Sequence, residues 1–332
     1  MNQSKESKPG EETCRKGDTM QPSLRSFLEQ LIDYAGLFPP ASLPLEAAIH
    51  NFAAYRGSTD AWMLGRFIMP ASRLAELDRY APIFSAESPL ACAVLGRKSE
   101  NASACREGLR ADLEQVAVFC NRHGEDVEVK VFELPLPPAP PERGLLETIA
   151  TETGGLGLQT FCEVTVPFED SWEQNMLTAL DVIAAHNSAG EAVLGVKFRT
   201  GGVTAEAFPT PAQAAAVIVG CRDRRIELKF TAGLHHPIRM YRDEVGTRMH
   251  GFLNVFTAGM LAHVHNLDAA VTAEILADES PDSFSFTAEG LAWRDLTISV
   301  PEIARLRSTA LRSYGSCSFD EPRDDLRGLR IL

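Results

Sequence analysis

No stretch of this chain approaches the eighteen or more consecutive apolar residues that a membrane helix needs. Residues 1–22 are polar, with lysines and glutamates interleaved, and lack the apolar core of a secretory signal. They are expected to form a disordered tail. Basic residues are in short supply: 32 Lys and Arg against 45 Asp and Glu leave a formal net charge of −13. Nucleic acid and anionic membrane surfaces both reward basic patches, so neither is expected as a partner. A small substrate, phosphorylated or not, is compatible, because a local cationic pocket can sit on an acidic protein. The seven cysteines (Cys14, Cys92, Cys105, Cys120, Cys162, Cys221 and Cys317) are scattered and form no C-x-x-C pair. That argues against a zinc ribbon or a disulfide framework and fits a reducing, cytoplasmic compartment. Neither Gly154-Gly155 nor Gly201-Gly202 belongs to a G-x-G-x-x-G turn or a P-loop. No cofactor is therefore expected.

What is present is a rhythm. Short apolar runs at Leu31–Phe38, Trp62–Met69, Leu90–Leu95, Val127–Leu136, Leu158–Val166, Ala192–Arg199, Ile226–Thr231 and Arg312–Phe319 read as strands. Helical patterns at Leu45–Tyr55, Ser72–Tyr80, Ala104–Arg122, Trp172–Ala185 and Pro211–Cys221 lie between them. Strands buried on both faces read as near-continuous apolar runs, and alternation with helices implies a parallel sheet. Eight such units predict an α/β fold: a single (β/α)₈ TIM barrel over residues 23–332, with its chemistry at the C-terminal strand ends. Residues of about 240–300 exceed one crossover, so an insertion is expected between the seventh and eighth strands. Within it Met249–Val264 and Asp268–Leu276 read as helices, and Phe284–Ile298 as a hairpin around Glu289-Gly290.

Alternation within the late strands places charge inside the barrel. Glu227, Lys229 and Thr231 share one parity, and Gly195, Lys197 and Arg199 share the corresponding one in the preceding strand. The apolar residues between them should face the helices and the polar set the barrel axis. Two lysines thus point into one lumen from adjacent strands. A buried lysine is costly unless it is paired or neutralised. One outcome is ion pairing with Glu133, Glu163 or Glu227. The other is mutual pKa depression, which yields the neutral amine that attacks carbonyls.

The segments Lys197-Phe198-Arg199-Thr200-Gly201 and Lys229-Phe230-Thr231-Ala232-Gly233 resemble the K-T-S-T-G and K-A-S-G-G motifs of class I, Schiff-base aldolases of the deoxyribose-phosphate aldolase type. Leu31-Ile32-Asp33-Tyr34-Ala35-Gly36-Leu37 is similar to that family's opening L-I-D-H-T-L-L strand, and Tyr314-Gly315-Ser316-Cys317-Ser318 to its closing F-G-A-S-S. The direct resemblance covers about thirty residues. It implies Lys197 as the Schiff-base nucleophile, Lys229 as the neighbour that lowers its pKa, and Asp33 in the polar network beside the reacting carbon. It also implies that Gly233, Gly315 and Ser316 offer donors to a substrate anion, the usual role of late barrel strands. The family's E-[VI]-D-x-V aspartate has no counterpart in Val127–Leu136, where Glu133 or Glu128 would stand in.

Arg199, Thr200 and Gly201 follow the first lysine and are expected to line the substrate site. His235 and His236 follow the second strand and should sit at the rim, His235 as an acid or base and His236 toward substrate. Cys317 ends the eighth strand, as a buried filler or a nucleophile. His263-Val264-His265-Asn266 resembles the H-x-H-N signature of metal-dependent barrel lyases. On a helix, however, positions i and i+2 diverge, and Asn266 or Asp268 reads as a cap. The helical pair His250 and Asn254 faces either the pocket or solvent. The favoured expectation is an aldolase-like carbon–carbon lyase acting through a lysine Schiff base. The alternatives are a divalent-metal-dependent barrel enzyme using strand-end Glu and His, and a non-catalytic barrel that binds a small anion. A small-molecule substrate is the expected partner, and a homo-oligomer is compatible with the sequence.

Overall fold

The structure, a computed structural model, describes residues 20–138, 140–190 and 192–332. The expected polar tail, with Cys14, lies almost wholly outside the described residues. Its last residue, Pro22, already opens helix α1 (Pro22–Leu28).

Eight parallel strands close into a barrel. They are β1 (Ile32–Tyr34), β2 (Leu64–Pro70), β3 (Leu90–Leu95), β4 (Val127–Pro135), β5 (Gln159–Glu163), β6 (Leu194–Arg199), β7 (Leu228–Thr231) and, after an excursion, β13 (Leu311–Ser316). The order around the barrel is β1-β13-β7-β6-β5-β4-β3-β2. The (β/α)₈ expectation holds, and each observed strand falls within or overlaps its apolar run.

Strand residues of one parity, such as Phe67, Phe132, Phe198 and Phe230, pack outward into the main core under the helices. Those of the other parity fill the lumen. Its apolar layer is Ala35, Ile68, Ala93, Val131 and Phe161. The outer helices are α2 (Leu45–Arg56), α3 (Ala102–His123), α4 (Arg143–Gly154), α5 (Trp172–Ala189) and α6 (Pro211–Asp223). Two begin on side-chain caps that satisfy amides with no intrahelical partner. Asn101 accepts from the Ala104 amide at 3.0 Å, and Thr210 with Gln213 forms a reciprocal capping box. Between β2 and β3 the expected helix is replaced by 3₁₀ turns at Ala71–Leu77 and Ala81–Ile83. Pro70 and Pro82 bracket the segment, and Pro82 lacks the amide that would carry an α-helix across it.

The insertion lies where the sequence places it. It opens with a ribbon of β8 (Met240–Arg242) and β9 (Thr247–Met249), followed by α7 (Phe252–His265) and α8 (Ala269–Ala277). Helix α7 is apolar on nearly every face, and Phe252 through Ala262 are all buried. Asn266 ends it in the left-handed conformation and Asp268 caps α8, so the H-x-H-N segment is a helix junction. In place of one hairpin, an antiparallel sheet of three strands follows: β10 (Phe284–Phe286), β11 (Gly290–Trp293) and β12 (Leu296–Ser299). The second turn, at Arg294-Asp295, puts Arg294 at φ 50° and carries no glycine to announce it. Helix α9 (Val300–Thr309) returns the chain to β13, and α10 (Asp320–Gly328) follows. No helix among the described residues is long and apolar enough to cross a membrane.

Candidate active site

The pairing of β6 with β7 sets Lys197 directly beside Lys229, both in the lumen and both buried. The structure adds a carboxylate between them. Lys197 Nζ lies 2.7 Å from Glu133 Oε2 and 2.9 Å from Glu163 Oε2. Lys229 Nζ lies 3.4 Å from Glu133 Oε1, donates to Asp33 Oδ2, and donates to Ser313 Oγ at 2.7 Å. Ser313 passes its own hydrogen to Asp33 Oδ2 at 2.7 Å. Arg199 extends the series, with one guanidinium nitrogen 3.3 Å from Glu163 Oε1. Asp33, Lys229, Glu133, Lys197, Glu163 and Arg199 thus form a ladder of alternating charge across the barrel. Its formal charges cancel.

The ladder sets the ionisation of its members. Burial alone would lower the Lys197 pKa, but the Glu133 and Glu163 charges outweigh it and raise the pKa above the ordinary lysine value. The depression expected from two neighbouring lysines is therefore reversed in the resting protein. Burial pushes the Asp33 and Glu163 carboxyls up, yet each ends below its usual range. Lys229 and then Arg66 dominate at Asp33, and Lys197 and then Arg199 at Glu163. Glu133 thus stands between the two ammonium groups with no neutral partner, buried against Lys197 and Lys229 alone among the charges of the ladder.

Asp33 is held by a feature of the backbone. The β1–β2 register pairs Ile32 with Leu64 but Tyr34 with Phe67, which leaves an extra residue on β2. Such a bulge re-aims the chain. Here it points the Arg66 amide at Asp33 Oδ1, 2.6 Å away. A Cβ on Gly65 would stand 2.1 Å from the same oxygen, so only glycine leaves the carboxylate room.

Above Lys197 a cavity of about 450 Å³ opens at the C-terminal strand ends. Glu133, Glu163, Lys197, Arg199, His235 and Cys317 line it, with Gly233 and Gly315. His235 Nδ1 lies 3.6 Å from Cys317 Sγ and 3.4 Å from Glu321 Oε2 on α10. Burial opposes charge on this ring, but those two partners raise its pKa to about 9.

Other expected site residues lie apart from this cavity. Thr200 is fully buried and its hydroxyl bonds the Thr231 and Ala232 carbonyls at 3.2 and 2.6 Å, so it ties two strand ends together. Gly201 packs against the Phe208 ring, and Ser316 is buried with its hydroxyl 3.4 Å from the Ser318 amide. His236 turns away from His235 into a neighbouring cavity, where Asp325 meets its Nδ1 at 2.6 Å. Burial is the main cause of its lowered pKa. His250 bonds the Pro209 carbonyl at 2.7 Å, and Asn254 bonds backbone groups of Arg239, Ile275 and Asp278. Both are packing residues of the insertion. Among the described residues no three His, Cys, Asp or Glu side chains converge as a metal site would require. Ser313, Glu321 and the Arg66 amide were not singled out from the sequence, because no motif marks a partner supplied by a distant strand or helix.

No family model and no curated protein matches the chain. Among solved structures, a xylose isomerase domain protein from Alicyclobacillus acidocaldarius subsp. acidocaldarius is similar over 74% of this chain and 95% of that one. Its identity is 13% and its TM-score 0.39. A lysine/ornithine decarboxylase from Vibrio vulnificus, complexed with cadaverine, is similar at 12% identity and a TM-score of 0.38. The match covers 88% of this chain but only 58% of the decarboxylase. At such scores neither likeness bears on the chemistry.

Proposed function

We propose that the protein is an aldolase-like carbon–carbon lyase in which Lys197 forms an imine with a small carbonyl substrate. The observation that carries this reading is the position of Lys197 Nζ at the floor of the mouth cavity, between Glu133 and Glu163. An ammonium is not a nucleophile, so a proton must leave Nζ before attack. The two glutamates are the acceptors within reach. Transfer to either one converts a buried ion pair into an amine and a carboxylic acid, an exchange that a dry cavity favours. The amine then adds to the carbonyl carbon; the departing oxygen takes one proton back from the carboxylic acid and a second from the attacking nitrogen, and leaves as water. The resulting protonated imine accepts the electron pair of the breaking carbon–carbon bond. The glutamate still ionised takes the proton of the hydroxyl whose carbon becomes the second carbonyl. Arg199 and His235 present positive charge at the rim for the polar end of the substrate. The similarity of the Lys197 and Lys229 segments to class I aldolase motifs supports the same reading.

The raised Lys197 pKa favours a second reading, a barrel that binds a small anion and leaves the ladder purely structural. Reduction with borohydride separates the two. Incubation with a panel of short aldehydes and ketones, reduction and peptide mapping by mass should give an adduct on Lys197 that is absent in Lys197→Met. If no carbonyl compound labels Lys197 above the other lysines, the lyase reading falls. If a chelator then abolishes an independently found activity, the metal-dependent alternative takes its place.

A further inference from the structure

The barrel is open to the ladder from its other end as well. At the N-terminal ends of the strands lies a cavity of about 440 Å³, lined among others by Arg66, Gln159, Lys229, Arg307, Arg312 and Ser313. It is therefore unlike the mouth in both location and charge. Arg307 donates to the Leu311 carbonyl at 2.6 Å and the Glu29 carbonyl at 3.1 Å, and its buried Nε has no partner. Arg312 is engaged with Gln159 Oε1 at 3.2 Å and Glu227 Oε2 at 3.5 Å. The part-buried Arg66 uses its backbone amide on Asp33. Among the described residues, no carboxylate lies within ion-pair distance of its guanidinium. Glu29 is the one acidic residue on the cavity wall, and it pairs outward with Arg25 at 3.4 Å.

We propose that this cavity binds a small oxyanion, a phosphate- or carboxylate-bearing molecule, at a site separate from the mouth. Three guanidinium groups around one cavity, without a matching set of carboxylates, leave positive charge poorly compensated. The planar fork of arginine matches carboxylate and phosphate with two parallel hydrogen bonds. Burial and the nearby Arg312 lower the Arg307 pKa to about 9, and the charges of Asp33 and Glu29 only partly oppose this. Lys229 lines the same cavity and its ammonium bonds Asp33, so a bound anion would act on one end of the ladder.

The test titrates the full chain with inorganic phosphate and, separately, with succinate by isothermal calorimetry. Saturable binding of either anion is expected. Arg66→Gln should weaken it roughly tenfold to hundredfold, the loss of a charge-assisted hydrogen bond. Arg66→Lys should recover part of the affinity, because it keeps the charge and loses the fork. Arg143→Gln, on the exposed face of α4, should leave it unchanged. Hydrogen exchange of the unmodified chain gives a second readout that needs no variant. Protection on anion addition is expected in Pro22–Leu28 and Val300–Thr309, which border the cavity. Three outcomes would overturn the proposal: no saturable binding of either anion, loss of binding in Arg199→Gln, at the mouth, but not in Arg66→Gln, or protection confined to the loops after β6 and β7.

Discussion

At the scale of single residues, each charge in the ladder is tolerable only because of its neighbours. An ion removed from water loses several kcal/mol of hydration even after the protein relaxes, and only a close counter-charge restores it. Lys229→Met would leave Asp33 facing the Ser313 hydroxyl and the Arg66 amide alone. The expected destabilisation is about 3–5 kcal/mol, the usual cost of breaking a buried pair from one side. Adding Asp33→Asn should recover most of it, since the stranded charge is then gone. Urea denaturation of the two single variants and the double variant measures this coupling. Simple additivity would mean that the contact contributes nothing specific. Three ladder members, Lys197, Arg199 and Lys229, were legible because strand alternation puts them on the lumen side. Glu133 was visible as one candidate partner and as one of two stand-ins for the family's aspartate. Its place between the lysines follows from barrel closure, which brings β4 across the lumen to β6 and β7. The bulge that aims the Arg66 amide at Asp33 leaves no trace beyond an unremarkable Gly65.

At the scale of elements, the loops after β6 and β7 decide the shape of the mouth. Gly233 sits at φ 73°, and a Cβ there would lie 2.8 Å from the Phe208 ring and 2.9 Å from the Gly201 Cα. The left-handed backbone and the close approach of the two loops both demand glycine. Gly233→Ala should therefore destabilise by roughly 1–3 kcal/mol, the range for a strained backbone position. Equilibrium unfolding checks this, and wild-type stability in that variant would show that the loops are free to separate. The K-x-x-x-G spacing marked these glycines. It gave no means of separating Gly233, on the cavity wall, from Gly201, which packs under Phe208. Strands were legible because each is an apolar run bounded by polar turns. Helix α4 was not among the helical patterns read from the sequence. The three-stranded sheet was read as one hairpin because its second turn lacks a glycine.

At the scale of the whole molecule, two histidines tie distant segments together in opposite charge states, and pH should separate them. His235 joins the end of β7 to Cys317 after β13 and to Glu321 on α10, with its pKa raised to about 9. His250 joins the start of the insertion to the Pro209 carbonyl before α6, with its pKa lowered to about 4 by burial. For His235 the folded pKa exceeds the unfolded value of about 6.5. The stability it contributes is therefore full below about pH 6.5 and is lost as pH rises through about 9. For His250 the folded pKa is the lower one, so its contribution is present above about pH 6.5 and lost as pH falls toward about 4. The lowered carboxyls of Asp33 and Glu163 add to the acid side with the same sign. Stability should thus decline on both sides of a maximum near pH 6.5, with the alkaline limb controlled by His235. Raising the His235 pKa from about 6.5 to about 9 corresponds to roughly 3 kcal/mol of differential interaction at most. Urea midpoints of wild type and His235→Gln, measured from pH 5 to pH 10, test the assignment. The variant should be less stable at pH 6, and the gap should close by about pH 10. A constant gap across that range would show that His235 acts by packing alone, and a gap that widens at high pH would place its charged form outside the folded state.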